Sequence, residues 1–99
     1  MRRDEALAIL RKLLPELRAG FGVEALYLFG STARDEATSQ SDVDVLVVFE
    51  NEAHPTLFDL ARIRLLLATA LEAKTDLVMW DAVRPQLKEQ ILREAIRAA

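Results

Sequence analysis

The chain has 99 residues, 52% of them hydrophobic and 29% charged, with a formal net charge of −3 and no cysteine. That balance fits one globular domain, residues 1–99, and excludes a disordered chain, disulfides and thiolate metal sites. No apolar run approaches the roughly 20 residues of a membrane-spanning helix, and an acidic chain lacks the basic face that nucleic-acid binding requires.

The opening MRRDEALAIL reads as helix rather than export signal, because acidic residues follow the two arginines at once. A cytoplasmic location is expected. Asp4 is placed to cap this helix, and Leu7, Leu10, Leu13, Leu14 and Leu17 recur at helical spacing. Pro15 predicts a kink or break, and Gly20 and Gly22 predict the helix end. Val23 to Phe29 reads as a first strand. A short helix over about Thr32 to Ala37 follows, and Asp35 to Ser41 forms its end plus a polar loop.

Val43 to Phe49 is apolar on both faces, the pattern of a central strand. Asn51 to Pro55 is a turn, and Thr56-Leu57-Phe58-Asp59 matches a capping box. The helix it opens runs to about Ala73, with Leu60, Ile63, Leu67 and Leu71 on one stripe. Within Leu65-Leu66-Leu67 at least one leucine must face outward, which would suit a protein partner. Thr75 to Trp80 reads as a third strand, Asp81 as a cap, and Pro85 as the first turn of a last helix reaching about Arg97. Helices and strands alternate, so the fold class is α/β (α+β), in two or three layers. Strand directions stay open.

The chemistry gathers between Leu26 and Phe49, LYLFGSTARDEATSQSDVDVLVVF. Asp42 and Asp44 are spaced i, i+2 at a strand start, so both carboxylates lean to one face. Their repulsion is unfavourable unless a cation or proton sits between them. Gly30 permits a sharp turn and close approach, and Ser31 sits where a helix start leaves amides unpaired. An anion cradle beside a divalent-cation site is what a nucleoside triphosphate with its magnesium requires.

Gly30-Ser31, ten intervening residues, then Asp42-Val43-Asp44 resembles the pattern of the polymerase-beta-like nucleotidyltransferase superfamily. In so short a chain it is most similar to the minimal nucleotidyltransferases that partner HEPN proteins. The resemblance implies a small nucleotidyltransferase fold, with a short mixed three-stranded sheet flanked by about four helices. It implies Mg2+ held by Asp42, Asp44 and a third carboxylate, Asp76 of Thr75-Asp76-Leu77-Val78, which also helps deprotonate the attacking hydroxyl. Gly30, Ser31 and Arg34 would bind ATP, Arg34 through a planar fork suited to phosphate. The reaction implied is transfer of AMP to a hydroxyl, a tyrosine of a HEPN toxin, with this chain as antitoxin in a homo- or hetero-oligomer. In one place the pattern departs: many relatives carry glycine after the arginine, where this chain has Asp35.

Other readings stand beside these. Asp76 also fits a polar residue ending a loop, Arg34 a surface arginine, Gly30-Ser31 an ordinary capped turn, and Ser41 either an orienter of Asp42 or the end of the loop. His54 reads as surface, and Met79 and Trp80 as core packing. A non-catalytic partner-binding module, a small-molecule nucleotidyltransferase and a phosphotransferase with a nucleophilic aspartate are the rival functions. Neither G-x-x-x-x-G-K-[ST] nor G-x-S-x-G occurs.

Overall fold

The computed structural model describes residues 1–38 and 40–98. Helix α1 (Arg3–Phe21) buries Ala6, Leu7, Leu10, Leu14 and Leu17, the apolar stripe that the heptad-like spacing predicts. Contrary to expectation, α1 passes through Pro15 unbroken. Proline in a helix interior costs about 3 kcal/mol, whereas each buried leucine returns about 1.5–3 kcal/mol, and Pro15 itself faces solvent. Four buried leucines therefore outweigh one missing hydrogen bond. Gly22 ends the helix in the left-handed region, φ 73°, its amide donating to the Arg18 and Leu17 carbonyls. Gly20 lies inside the helix. Asp4 is in the first turn; the cap position is Arg2, which makes no side-chain capping bond.

Strand β1 (Val23–Phe29) leads into a single helical turn, α2 (Gly30–Ala33). This turn is shorter and earlier than expected, because Arg34 ends it and Asp35 follows at φ 60°. The expected loop of 35–41 includes Ser39, which lies outside the described residues. Strand β2 (Val43–Phe49) pairs antiparallel with β1, and β3 (Thr75–Met79) pairs parallel with β2. Between them helix α3 (Leu57–Leu71) opens on the predicted capping box. The Thr56 hydroxyl accepts from the Asp59 amide at 3.1 Å, and the Asp59 carboxylate accepts from the Thr56 amide at 2.9 Å.

A 3-10 turn (Trp80–Ala82) precedes helix α4 (Pro85–Glu94), whose first residue is the expected proline. Asp81 lies in the 3-10 turn and does not cap α4. The helix also ends three residues short of the predicted Arg97. Ile96–Arg97 instead form β4, antiparallel to β1 opposite Leu28 and Tyr27, and the Ala98 amide donates to the Leu26 carbonyl at 2.8 Å. The outer edge of β1 offers unpaired amides and carbonyls, and the chain end satisfies them. Among the described residues the mixed sheet thus has four strands, ordered β3-β2-β1-β4, rather than three.

Helices α1 and α3 pack together on one face of the sheet, against Leu26, Leu28, Val43, Val45 and Val47. Strand alternation turns Asp44, Leu46 and Val48 to the other face. Leu46 is also buried, so β2 is the central, two-sided strand its composition predicts. Among the described residues no helix is long and apolar enough to cross a membrane.

Candidate active site

The registers of β1, β2 and β3 determine what meets what. Phe29 is opposite Asp44 on β2, and Asp44 is opposite Asp76 on β3. In-register neighbours on adjacent strands are about 4.8 Å apart and point to the same face. Asp42, two residues before Asp44, leans the same way. Three carboxylates thus rise from one end of the sheet, on the face away from α1 and α3. Asp42 and Asp76 are exposed and Asp44 is half-buried.

Asp44 feels this crowding. Burial raises its carboxyl pKa above the ordinary 3.8, and the charges of Asp76 and then Asp42 raise it further, while Arg34 pulls it back. Such a group favours a proton or a cation beside it. The donors are oxygen only, the set that magnesium prefers, so the residues fit that ion. Among the described residues no three acidic, histidine or cysteine side chains are placed to hold a metal ion by themselves, so substrate oxygens would have to complete the coordination of an ion on this row.

Gly30 connects this row to the turn of α2. Its φ of 74° is left-handed, and the Asp44 carboxylate lies directly on its Cα. A methyl group at that position would overlap Oδ2 and lie 3.0 Å from Cγ. The chain therefore passes under Asp44 only as glycine. The next residue, Ser31, is half-buried in α2. The Arg34 amide donates to the Gly30 carbonyl at 3.2 Å, closing the turn. Thr32, which the sequence reading did not single out, is buried, and its hydroxyl has no hydrogen-bond partner among the described residues.

Arg34 is near enough to act on Asp44 yet is already engaged. Its guanidinium pairs with Glu36 at 3.2 Å and with Glu94 of α4 at 3.3 Å. Neither glutamate was legible as a partner, since Glu94 is 60 residues away in sequence. Asp35 turns away from the row: its Oδ1 accepts from the Arg3 amide at 3.0 Å, supplying the start of α1 with the cap that Arg2 does not provide. Its φ of 60° is left-handed, a conformation that the glycine of many relatives adopts without strain. Ser41 closes the loop, accepting from the Thr38 amide at 3.0 Å. His54 is exposed, and Met79 and Trp80 are half-buried, Met79 packed against the core.

The four main clefts lie elsewhere; none is lined by Asp42, Asp44 or Asp76. One of about 270 Å³ sits at the opposite end of the sheet, around Phe49, Asn51 and Trp80. The aspartate row is a shelf rather than a cavity.

Known proteins are similar to this chain over nearly its whole length. The chain is 37% identical to protein adenylyltransferase MntA of Thermococcus cleftensis over 93 residues, 94% of this chain and 92% of that one. It is 42% identical to a solved structure described as a minimal nucleotidyltransferase, with a TM-score of 0.78, over 97% of this chain and 95% of that chain. A Shewanella oneidensis complex, a tri-AMPylated HEPN toxin with its MNT antitoxin, gives a TM-score of 0.68 at 21% identity, covering 95% of this chain and 71% of that chain. At that identity the likeness is one of fold. Residues 10–98 match the nucleotidyltransferase domain, and the chain belongs to that family as one of its minimal, MntA-like members.

Proposed function

We propose that this chain is a magnesium-dependent adenylyltransferase that moves AMP from ATP to a tyrosine hydroxyl of a HEPN-domain partner, acting as its antitoxin. The observation that carries this reading is the register placing Asp76 beside Asp44, one strand from Gly30. Asp42, Asp44 and Asp76 would hold magnesium. When bound, the ion neutralises phosphate charge and makes the acceptor hydroxyl more acidic.

The protein's own groups do the rest. Ser31 and the amides of α2 hold the terminal phosphates, and Arg34 exchanges Glu36 and Glu94 for phosphate oxygens. The α-phosphorus then lies over Asp44. The acceptor oxygen attacks it, Asp76 takes the hydroxyl proton, and the bond to the bridging oxygen breaks. Pyrophosphate departs with that electron pair from the Gly30-Ser31 side.

The exposure of Asp42 and Asp76 supports a macromolecular acceptor, to which the aspartate row is accessible. The Thermococcus relative's name and the Shewanella complex support a protein of the HEPN class. To test this, the chain is incubated with a HEPN partner, magnesium and ATP, and the partner is weighed intact. Added AMP is expected with the wild type. Asp76→Asn should abolish transfer while keeping magnesium–nucleotide binding, and a wild type that adds nothing overturns the proposal.

A binding-only antitoxin is the second reading. It is favoured by the exposure of Leu57 (83%), Phe58 (81%) and Leu65 (68%) on α3. The double variant Asp42→Asn/Asp44→Asn separates the two. Full neutralisation of the toxin in cells by this variant would make catalysis incidental.

A further inference from the structure

The sheet's outer edge at β3 is unpaired: the strand order ends there, with β2 its only neighbour among the described residues. Between that edge and α3 runs a seam of two adjoining clefts. One, about 340 Å³, is lined by Leu60, Ala61, Arg64, Leu77, Val78 and Met79, among others. The other, about 190 Å³, adjoins it at Arg64 and ends at Lys74 and Thr75, next to Asp76. The seam is mainly apolar, and its two cations, Arg64 and Lys74, are in no ion pair among the described residues. On a chain of net charge −3, that is a local reversal of sign.

We propose that the acceptor reaches the enzyme as an extended, acidic, tyrosine-bearing segment of the partner, added as a further strand along the outer edge of β3. This rests on the adenylyltransferase reading above and specifies how its substrate is held. Three observations converge. In-line displacement puts the entering oxygen opposite the leaving pyrophosphate. The phosphate seat is on the β1 side of Asp44, so entry is from the β3 side. A strand paired with β3 lies about 4.8 Å from it. The residue in register with Asp76 then joins the row Phe29–Asp44–Asp76 on the same face, which brings a tyrosine there to the carboxylate that accepts its proton. Main-chain hydrogen bonds to the free edge supply affinity, and the seam supplies selectivity. Apolar side chains fill it beside Ala61, Leu65 and Met79, and acidic ones meet Arg64 and Lys74.

The test uses the HEPN partner with Ala61→Glu and with Arg64→Glu, both solvent-facing changes on α3. Each variant's transfer rate is measured against partner concentration, magnesium–ATP binding is measured separately, and amide exchange is followed in β3. The expected result is a KM for the partner raised at least about tenfold, the worth of roughly 1.4 kcal/mol, with kcat and nucleotide binding unchanged. Partner binding should also protect β3 amides. Wild-type kcat/KM in both variants, or β3 amides that exchange as fast with partner as without, overturns the edge-docking proposal while transfer by the wild type leaves the enzymatic reading in place. Absence of transfer by the wild type overturns both.

Discussion

Replacing Gly30 by alanine tests the junction of the aspartate row and the proposed phosphate seat directly. An alanine held at φ 74° costs about 1–2 kcal/mol in the left-handed region. Its methyl also strikes Asp44, overlapping Oδ2 and lying 3.0 Å from Cγ and 3.3 Å from Cβ. Rotating the carboxylate cannot relieve contacts with both carbons, so the whole side chain must shift, at about 1–3 kcal/mol for overpacking. Asp44 is only half-buried and can swing toward solvent, which holds the sum to about 2–3 kcal/mol. A domain of ordinary stability survives that loss, with a melting temperature lower by roughly 10–20 °C. Activity should suffer more, because an ångström of misplacement in a reacting group costs about 100-fold. Thermal melts and AMP transfer to the partner give both readouts. Gly20→Ala is the control: nothing lies within 4 Å of its added methyl, so it should stabilise α1 by about 0.5–1 kcal/mol. A Gly30→Ala protein with wild-type melting and wild-type transfer would falsify the account of the site.

Asp44→Asn should make the metal-free protein more stable at neutral pH. The folded carboxyl pKa is raised above 3.8 by burial, Asp76 and Asp42, so the wild type loses stability as pH climbs from there through the folded value. Urea titrations should show the two proteins converging in acid and diverging near pH 7, with the variant gaining no melting temperature from magnesium–ATP. At Asp35, asparagine should match the wild type, since it tolerates a positive φ and still caps α1; alanine loses both and should cost about 1–3 kcal/mol by denaturation. Glu94→Gln frees Arg34 from an exposed ion pair worth about 0.2–1 kcal/mol, so initial rates should show a KM for ATP lower by about two- to fivefold.

What the sequence revealed, it revealed through short-range rules. The spacing from Gly30-Ser31 to Asp42 and Asp44, the Thr56–Asp59 capping box, the helix-opening Pro85 and an outward leucine within Leu65-Leu66-Leu67 all follow from residues close together in the chain. The features that escaped depend on distant parts of the chain. Pro15 stays helical because Leu10, Leu14 and Leu17 are pinned by the sheet and α3. Ile96 and Arg97 leave a helix-compatible pattern because β1, some 70 residues earlier in sequence, has an open edge. The Asp35–Arg3 cap spans 32 residues and the Arg34–Glu94 pair 60. Even the pairing of Asp44 with Asp76 required the strand direction, which composition does not encode.

Arg34 waits between Glu36 and Glu94 in the resting molecule, and that has a bearing on turnover. In the proposed reaction, once AMP has moved to its acceptor, the departing pyrophosphate meets two carboxylates that would reclaim the guanidinium. The arrangement that would weaken capture of ATP would therefore hasten exit of the by-product. Each cycle should be paced by the transfer itself or by separation from the modified partner, with no spent anion lodged on the shelf.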